Sequence, residues 1–249
     1  MKAPRTVLGF HAVLARLRSG ASSILEIFLD ESREDARARD LLTLAASRGV
    51  KVMRVPGRRL DGFCGGERHQ GVVARVEDTM KYEGLEDLLE RLTGPALLLV
   101  LDGVTDPHNL GACLRVADAA GVHAVIAPKD RAAGIGATVS KVASGAAETM
   151  PYYMVTNLAR TLDDLKERSI WVVGADERAP KTLYEADLPA ATAWVLGAEG
   201  EGMRRLTRER CDLLVRIPMQ GGVASLNVSV ASGLCLFESV RRRTSVGSG

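Results

Sequence analysis

Three separated stretches of the 249-residue chain hold the polar side chains best suited to bind and orient a ligand. Residues 101–121, LDGVTDPHNLGACLRVADAAG, carry Asn109 behind a loop-making Asp-Pro-His and then Arg115. Residues 195–203, VLGAEGEGM, place Glu199 in a glycine loop directly after an apolar run. Residues 217–238, IPMQGGVASLNVSVASGLCLFE, follow Gly221-Gly222 with Ser225 and Asn227 in an apolar, small-residue setting. An amide both donates and accepts, a carboxylate accepts, and a guanidinium is a planar, permanent cation. Together these groups suit positioning and the stabilisation of developing negative charge. Each also has a plain structural reading. Asn109 and Ser225 could cap helices, Arg115 could pair with Asp118, and Glu199 could be a solvated loop carboxylate.

The elements that must position these groups follow from periodicity. Leu110, Cys113, Leu114 and Ala117 share a helical face, predicting a core-facing helix from Leu110 with Asn109 as its cap, while Gly111, Arg115 and Asp118 lie off that face. In the last stretch Leu226, Val230, Leu234 and Phe237 form one apolar stripe, expected to be buried, behind Ser225 as cap. A second stripe, Ser225, Ser229, Ser232 and Gly233, is nearly free of bulk and suits close approach of another element. From residue 95 onward short apolar runs alternate with helical patterns, which predicts an α/β domain with a parallel sheet covered on both faces. The glycine loop lies at a strand's carboxyl end, where ligands of such sheets gather, and is expected to end the run of strands. Its order, G-x-x-G-x-G, is not a dinucleotide fingerprint, and no Walker loop is present.

Residues 1–77 read as a smaller α/β unit: a helix over 11–18, a strand over 25–29, a helix over 34–47 stopped by Gly49, and strands over 50–55 and 71–76. Pro56-Gly57 reads as a turn. The polar segment 78–82 is the expected linker and 84–93 a leading helix, so the domains are drawn as 1–77, 78–94 and 95–249. Disorder is expected from Thr244 on, and Arg241, Arg242 and Arg243 suit the carboxyl end of the last helix.

Hydrophobic content of 46% and charged content of 26% are those of a globular protein. No apolar run approaches a membrane span, and the first residues lack a signal-peptide core, so a cytoplasmic location is expected. Cys64, Cys113, Cys211 and Cys235 are scattered, as are the four histidines, so no metal site and no disulfide framework is expected. Net charge is only +2, but residues 48–75 hold seven basic side chains against two acidic ones. Such a patch can neutralise phosphates, although a solvated charged face has the same composition. Aromatic content of 4% argues against a reader that stacks bases on exposed rings.

In order and spacing the three stretches resemble the signatures of the SpoU-type (TrmH-like) RNA ribose 2′-O-methyltransferases, a branch of the knotted SPOUT superfamily. The resemblance is specific over residues 95–243 and looser before them. It implies a deep trefoil knot around S-adenosylmethionine, held by Leu196, Gly197, Ile217, Met219 and Leu226, with small residues at 197, 200, 221 and 222 letting backbone thread beside backbone. It implies catalytic roles for Asn109, Arg115, Glu199, Ser225 and Asn227, with Arg115 on the RNA side. Residues 1–77 resemble the L30e-like RNA-binding domain of this family, including its Arg68-His69-Gln70-Gly71 ending, so Arg54, Arg58, Arg59, Arg68 and His69 are candidate RNA contacts. The expected reaction is methylation of a guanosine 2′-hydroxyl in the peptidyl-transferase region of 23S ribosomal RNA, by a homodimer formed through the C-terminal domain. The rivals are the same chemistry on transfer RNA, a non-catalytic RNA-binding assembly factor, and a dinucleotide-dependent oxidoreductase.

Overall fold

The computed structural model describes residues 4–66, 68–77 and 84–246, with 245 and 246 as backbone only. The expected linker at 78–82 lies outside the described residues. The chain forms two compact units, one comprising residues up to 82 with Ser144–Thr149 and one comprising the remainder.

The first unit runs β1 (Arg5–Leu8), α1 (Phe10–Gly20), β2 (Ile24–Asp30), α2 (Ala36–Ser47), β3 (Val52–Val55), α3 (Gly57–Cys64) and β4 (Val72–Val76). Its four-stranded sheet has the order β1-β4-β2-β3, and only β2 and β3 are parallel. Alternation along the strands sorts the core. Ile27, Leu29, Val72 and Ala74 pack with Val13 and Leu17 of α1 and Leu41 and Ala45 of α2. Phe28, Val55 and Val73 pack with Leu60 and Cys64 of α3. Asp35 caps α2 by accepting from Ala38 N at 3.2 Å. The sequence reading missed β1 and α3. Pro56-Gly57 is not a free turn but the start of α3, with Pro56 at its N-cap position, where a missing N–H costs nothing.

The second unit begins with α4 (Leu85–Glu90) and continues β5 (Leu97–Asp102), α5 (Pro107–Ala119), β6 (Ala124–Pro128), α6 (Ala137–Val142), β7 (Tyr152–Val155), α7 (Leu158–Glu167), β8 (Trp171–Ala175), β9 (Lys181–Thr182), β10 (Thr192–Gly197), α8 (Arg205–Arg210), β11 (Leu213–Arg216) and α9 (Val228–Val246). Seven strands form one sheet in the order β7-β6-β5-β10-β8-β11-β9, and every pairing is parallel. On one face Leu98, Val100, Ala193 and Val195 meet Leu158, Leu162 and Leu165 of α7. On the other, buried Trp194 donates its indole N–H to Ser239 of α9 at 2.8 Å. Both faces are covered, as alternating strands and helices require.

Three expectations about this unit need correction. The glycine loop does not end the run of strands, because β11 follows it, too short and too interrupted by charge to stand out in the sequence. The stripe expected to be buried on α9 is not: Val230 is 50% and Phe237 49% exposed and Leu226 and Leu234 are half-buried, while Val228, Ser232, Cys235, Leu236 and Ser239 are buried. Small side chains thus face the core, as a helix packed close to its neighbours needs. Helix α9 also continues to Val246, past the expected onset of disorder, and 247–249 lie outside the described residues. Its arginines do more than oppose the dipole. Arg242 donates to Ala186 O at 2.7 Å and Arg243 to Ala96 O at 2.7 Å, tying the helix end to the segments that enter β10 and β5. Arg241 and Arg242 both donate to Glu238 at 2.7–2.8 Å, and the Arg241 hydrogen bond is the main reason its carboxyl is lowered to about 2.

Candidate active site

The site is assembled beyond the carboxyl ends of β5 and β10 and at the start of α9. Asp106, not Asn109, caps α5, accepting from His108 N at 3.0 Å with Pro107 in the first turn. Asn109 therefore sits inside the helix with its amide free for other work. Likewise Asn227, not Ser225, caps α9: its carbonyl accepts from Ala231 N at 3.0 Å and its side chain from Ser229 N at 2.9 Å. Both corrections have one cause. Where several cap-competent residues lie close together, sequence alone does not choose among them.

Freed in this way, the two amides converge on Glu199. Its Oε1 accepts from Asn109 Nδ2 at 3.0 Å, from Asn227 Nδ2 at 2.6 Å and from Val228 N at 3.2 Å, and Asn227 Nδ2 also donates to Asn109 Oδ1 at 2.8 Å. One residue from each of the three stretches thus joins a single hydrogen-bonded cluster. The plain reading of Glu199 as a solvated loop carboxylate does not describe this arrangement. Arg115 and Ser225 are exposed and outside the cluster, with no hydrogen-bond or ion-pair partner among the described residues. Arg115 is therefore not paired with Asp118. Its neighbour Val116 lies against α9 at Gly233, so Arg115 rides beside the α5–α9 contact. Gly111, placed off the core face by periodicity, is buried, and a Cβ there would meet Val142 at 2.7 Å. Cys113, bonded to Ser232 at 3.6 Å, has its thiol pushed up to about 11 by burial and is no nucleophile near neutral pH.

Of the four small residues expected at a backbone crossing, only Gly197 is crowded. A Cβ there would stand 2.0 Å from Gly202 C and 2.1 Å from Met203 N. Gly200 has φ 79°, which favours glycine for a different reason, and Gly221 and Gly222 face open space. Leu196 is buried, and Ile217, Met219 and Leu226 are half-buried. The amides of the last three lie outside every helix and strand and make no backbone hydrogen bond among the described residues. Sequence reasoning missed a further group here: buried Asp102 accepts from Arg204 N at 2.9 Å and from Arg204 Nε at 2.6 Å. A carboxylate at a strand end followed by glycine was its only signal.

In the first unit Arg54, Arg58, Arg59 and Arg68 are exposed. Arg54 donates to Glu31 O at 3.3 Å, and Arg59 lies 5.9 Å from the Phe28 ring centroid. Arg68, His69, Asp61, Gln70, Gly66 and Gly71 line an open depression of about 400 Å³. His69 Nδ1 accepts from Gly71 N at 3.0 Å, which puts the ring proton on Nε2, 3.0 Å from Asp61 Oδ1. Both ring nitrogens are used within the unit. No described helix is long and apolar enough to cross a membrane, and no group of three or more His, Cys, Asp or Glu among the described residues could hold a metal ion.

The amides, the carboxylate and the glycine loop gather at the carboxyl edge of a parallel sheet, the edge at which ligands of such α/β domains generally bind. Comparison with known proteins makes the class specific. The model of the SpoU rRNA Methylase family matches residues 96–237, and that of RNA 2′-O ribose methyltransferase substrate binding matches residues 6–81. A Bordetella pertussis protein, 23S rRNA (guanosine-2′-O-)-methyltransferase RlmB, is 59% identical over 98% of this chain and 99% of its own. Its Ralstonia nicotianae counterpart is 60% identical over 99% of each. Among solved structures, the SpoU methyltransferase AviRb from Streptomyces viridochromogenes in complex with AdoMet has TM-score 0.77 and 26% identity, over 98% of this chain and 91% of that one. The chain belongs to the SpoU rRNA methylase family.

Proposed function

We infer that this chain is an S-adenosylmethionine-dependent RNA methyltransferase that modifies the ribose 2′-hydroxyl of a guanosine in 23S ribosomal RNA. The observation that carries the reading is the Asn109–Glu199–Asn227 cluster, which joins three distant signatures at the ligand-binding edge of the sheet. Relatives near 60% identity over nearly their whole length are named for this activity, which favours it over transfer RNA modification or a non-catalytic role. S-adenosylmethionine supplies an electrophilic methyl group on a sulfonium, and the chain's task is then mainly positioning. Half-buried Ile217, Met219 and Leu226, with their unengaged amides, suit an adenosine, as do buried Leu196 and crowded Gly197. In this reading Glu199 holds the two amides in register, Ser225 and Asn227 orient the ribose and the cofactor's amino-acid end, and Arg115 holds the RNA and stabilises negative charge developing on the 2′-oxygen. A guanidinium remains protonated near neutral pH, so Arg115 acts as a cation rather than a base. Equilibrium binding tests the first requirement: the protein should bind S-adenosylmethionine and not a nicotinamide dinucleotide.

The finer features belong to the same reading. The loops at 197–203 and 217–227 form a trefoil knot, residues 1–77 are an L30e-like RNA-binding domain, 78–94 connect it to the catalytic domain of 95–249, and the enzyme works in the cytoplasm. Charge reversal at Arg54, Arg58 and Arg59 is expected to weaken RNA binding and to flatten its salt dependence, the slope falling by about 0.7–0.9 for each phosphate no longer neutralised. S-adenosylmethionine affinity should not change. An unaltered RNA affinity and slope would make this patch a solvated face. The outward apolar stripe of α9, with Val230 and Phe237 half exposed, supports a homodimer through the C-terminal domain, in which two copies of one patch meet across a two-fold axis. Sedimentation at micromolar concentration should find a dimer that Val230→Glu with Phe237→Glu dissociates. A fully active monomer would defeat the dimer and leave the methyltransferase standing.

A further inference from the structure

Asp102 is the last residue of β5, and its side chain is fully buried. In the β5–β10 ladder it stands opposite Gly197, the residue at which the glycine loop departs. Its carboxylate then takes the other end of that loop, Oδ2 accepting from the backbone N–H of Arg204 at 2.9 Å and Oδ1 from its Nε at 2.6 Å. The guanidinium reaches one strand further, Nη1 donating to Asp130 just beyond β6 at 3.2 Å. Between the two fixed ends the loop closes on itself, with Gly202 N bonded to Ala198 O at 2.9 Å and Gly202–Met203 pressed against Gly197. The side chain this ring presents is Glu199, the acceptor at the centre of the amide cluster. A buried carboxylate is expensive unless fully paired, and here both oxygens are spent on one loop.

We propose that Asp102 and Arg204 are positioning residues for methyl transfer, a clasp that holds both ends of the 197–204 ring so that Glu199 meets Asn109 and Asn227. The inference rests on the methyltransferase reading above. Neither residue touches the reacting atoms. Displacing Glu199 by an ångström would separate it from hydrogen-bond reach of the amides, and misplacement on that scale costs on the order of 100-fold in rate. Asp130 is exposed and holds only the outer nitrogen, so Asp130→Asn should have a much smaller effect.

The test is a set of single-turnover methyl-transfer assays on 23S RNA with wild type, Asp102→Asn, Glu199→Gln and the double variant, at saturating S-adenosylmethionine. An asparagine at 102 must turn its NH2 toward one of the two Arg204 donors, so the clasp loses at least one bond. The clasp predicts a rate about 10- to 100-fold lower in Asp102→Asn, with the RNA concentration for half-maximal rate nearly unchanged. It also predicts that Asp102→Asn adds less than about twofold once Glu199 is already Gln, because both act through one group. A merely structural role predicts the same proportional loss in both backgrounds. That result, or an Asp102→Asn rate within about twofold of wild type, would overturn the proposal. Should Asp102→Asn fail to fold by circular dichroism, Arg204→Lys carries the same comparison, since it keeps a cation beside Asp102 but not the planar fork. Wild type inactive on RNA would strike the parent reading, whereas an active wild type with an insensitive Asp102→Asn would strike the clasp alone.

Discussion

Arg115→Ala is expected to lower the single-turnover rate of methyl transfer by about 100- to 1,000-fold, the range seen when one preorganised stabiliser of a developing oxyanion is removed. The affinity for S-adenosylmethionine should change by less than about threefold, since Arg115 is assigned to the RNA side and to charge that forms only in the transition state. Arg115 is exposed on α5, unpaired among the described residues and one position from the residue that packs on α9. Its removal therefore opens no cavity and leaves no buried partner unsatisfied, and a large kinetic loss would not come from unfolding. Arg115→Lys should recover little, because an ammonium cannot reproduce a planar fork of donors. A variant turning over at the wild-type rate would remove Arg115 from the site and leave the amide cluster to be explained without it.

Gly197→Ala is expected to abolish both cofactor binding and activity. The new methyl carbon would lie 2.0–2.3 Å from Gly202 and Met203 backbone atoms, and no side-chain rotation relieves a contact with backbone. The ring would have to open, taking Glu199 from Asn109 and Asn227. Gly221→Ala and Gly222→Ala are the controls, as nothing stands within 4 Å of either. Isothermal titration with S-adenosylmethionine should show no binding to Gly197→Ala and near-wild-type binding to the controls. Normal cofactor affinity in Gly197→Ala would mean that the ring does not form part of the cofactor site.

The sequence carried the strand–helix alternation well, because a parallel sheet buried on both faces leaves unbroken apolar runs such as 97–101 and 193–196. Asn109, Glu199 and Asn227, singled out from three separate stretches, meet in one hydrogen-bonded cluster. Short elements were illegible: α3 starts at Gly57 behind Pro56, and β9 has two residues whose strand partner is β11. Capping was misassigned twice, since Asp106 competes with Asn109 and Asn227 with Ser225, and the choice depends on tertiary partners such as Glu199. The burial of α9 was inverted for a related reason. Periodicity finds a stripe but not what faces it, and the core side went to a different set, Val228, Ser232, Cys235, Leu236 and Ser239. The Asp102–Arg204 pair is separated by 102 positions, and the strand-end carboxylate before a glycine gave no hint of its partner.

A ribose-methylation map of 23S ribosomal RNA from cells with and without this protein decides the assignment. One guanosine 2′-O-methyl mark should be lost in its absence, return with the wild-type gene, and fail to return with Arg115→Ala or Gly197→Ala. An unchanged 23S map, with a mark lost from transfer RNA instead or from no RNA, would contradict the assignment.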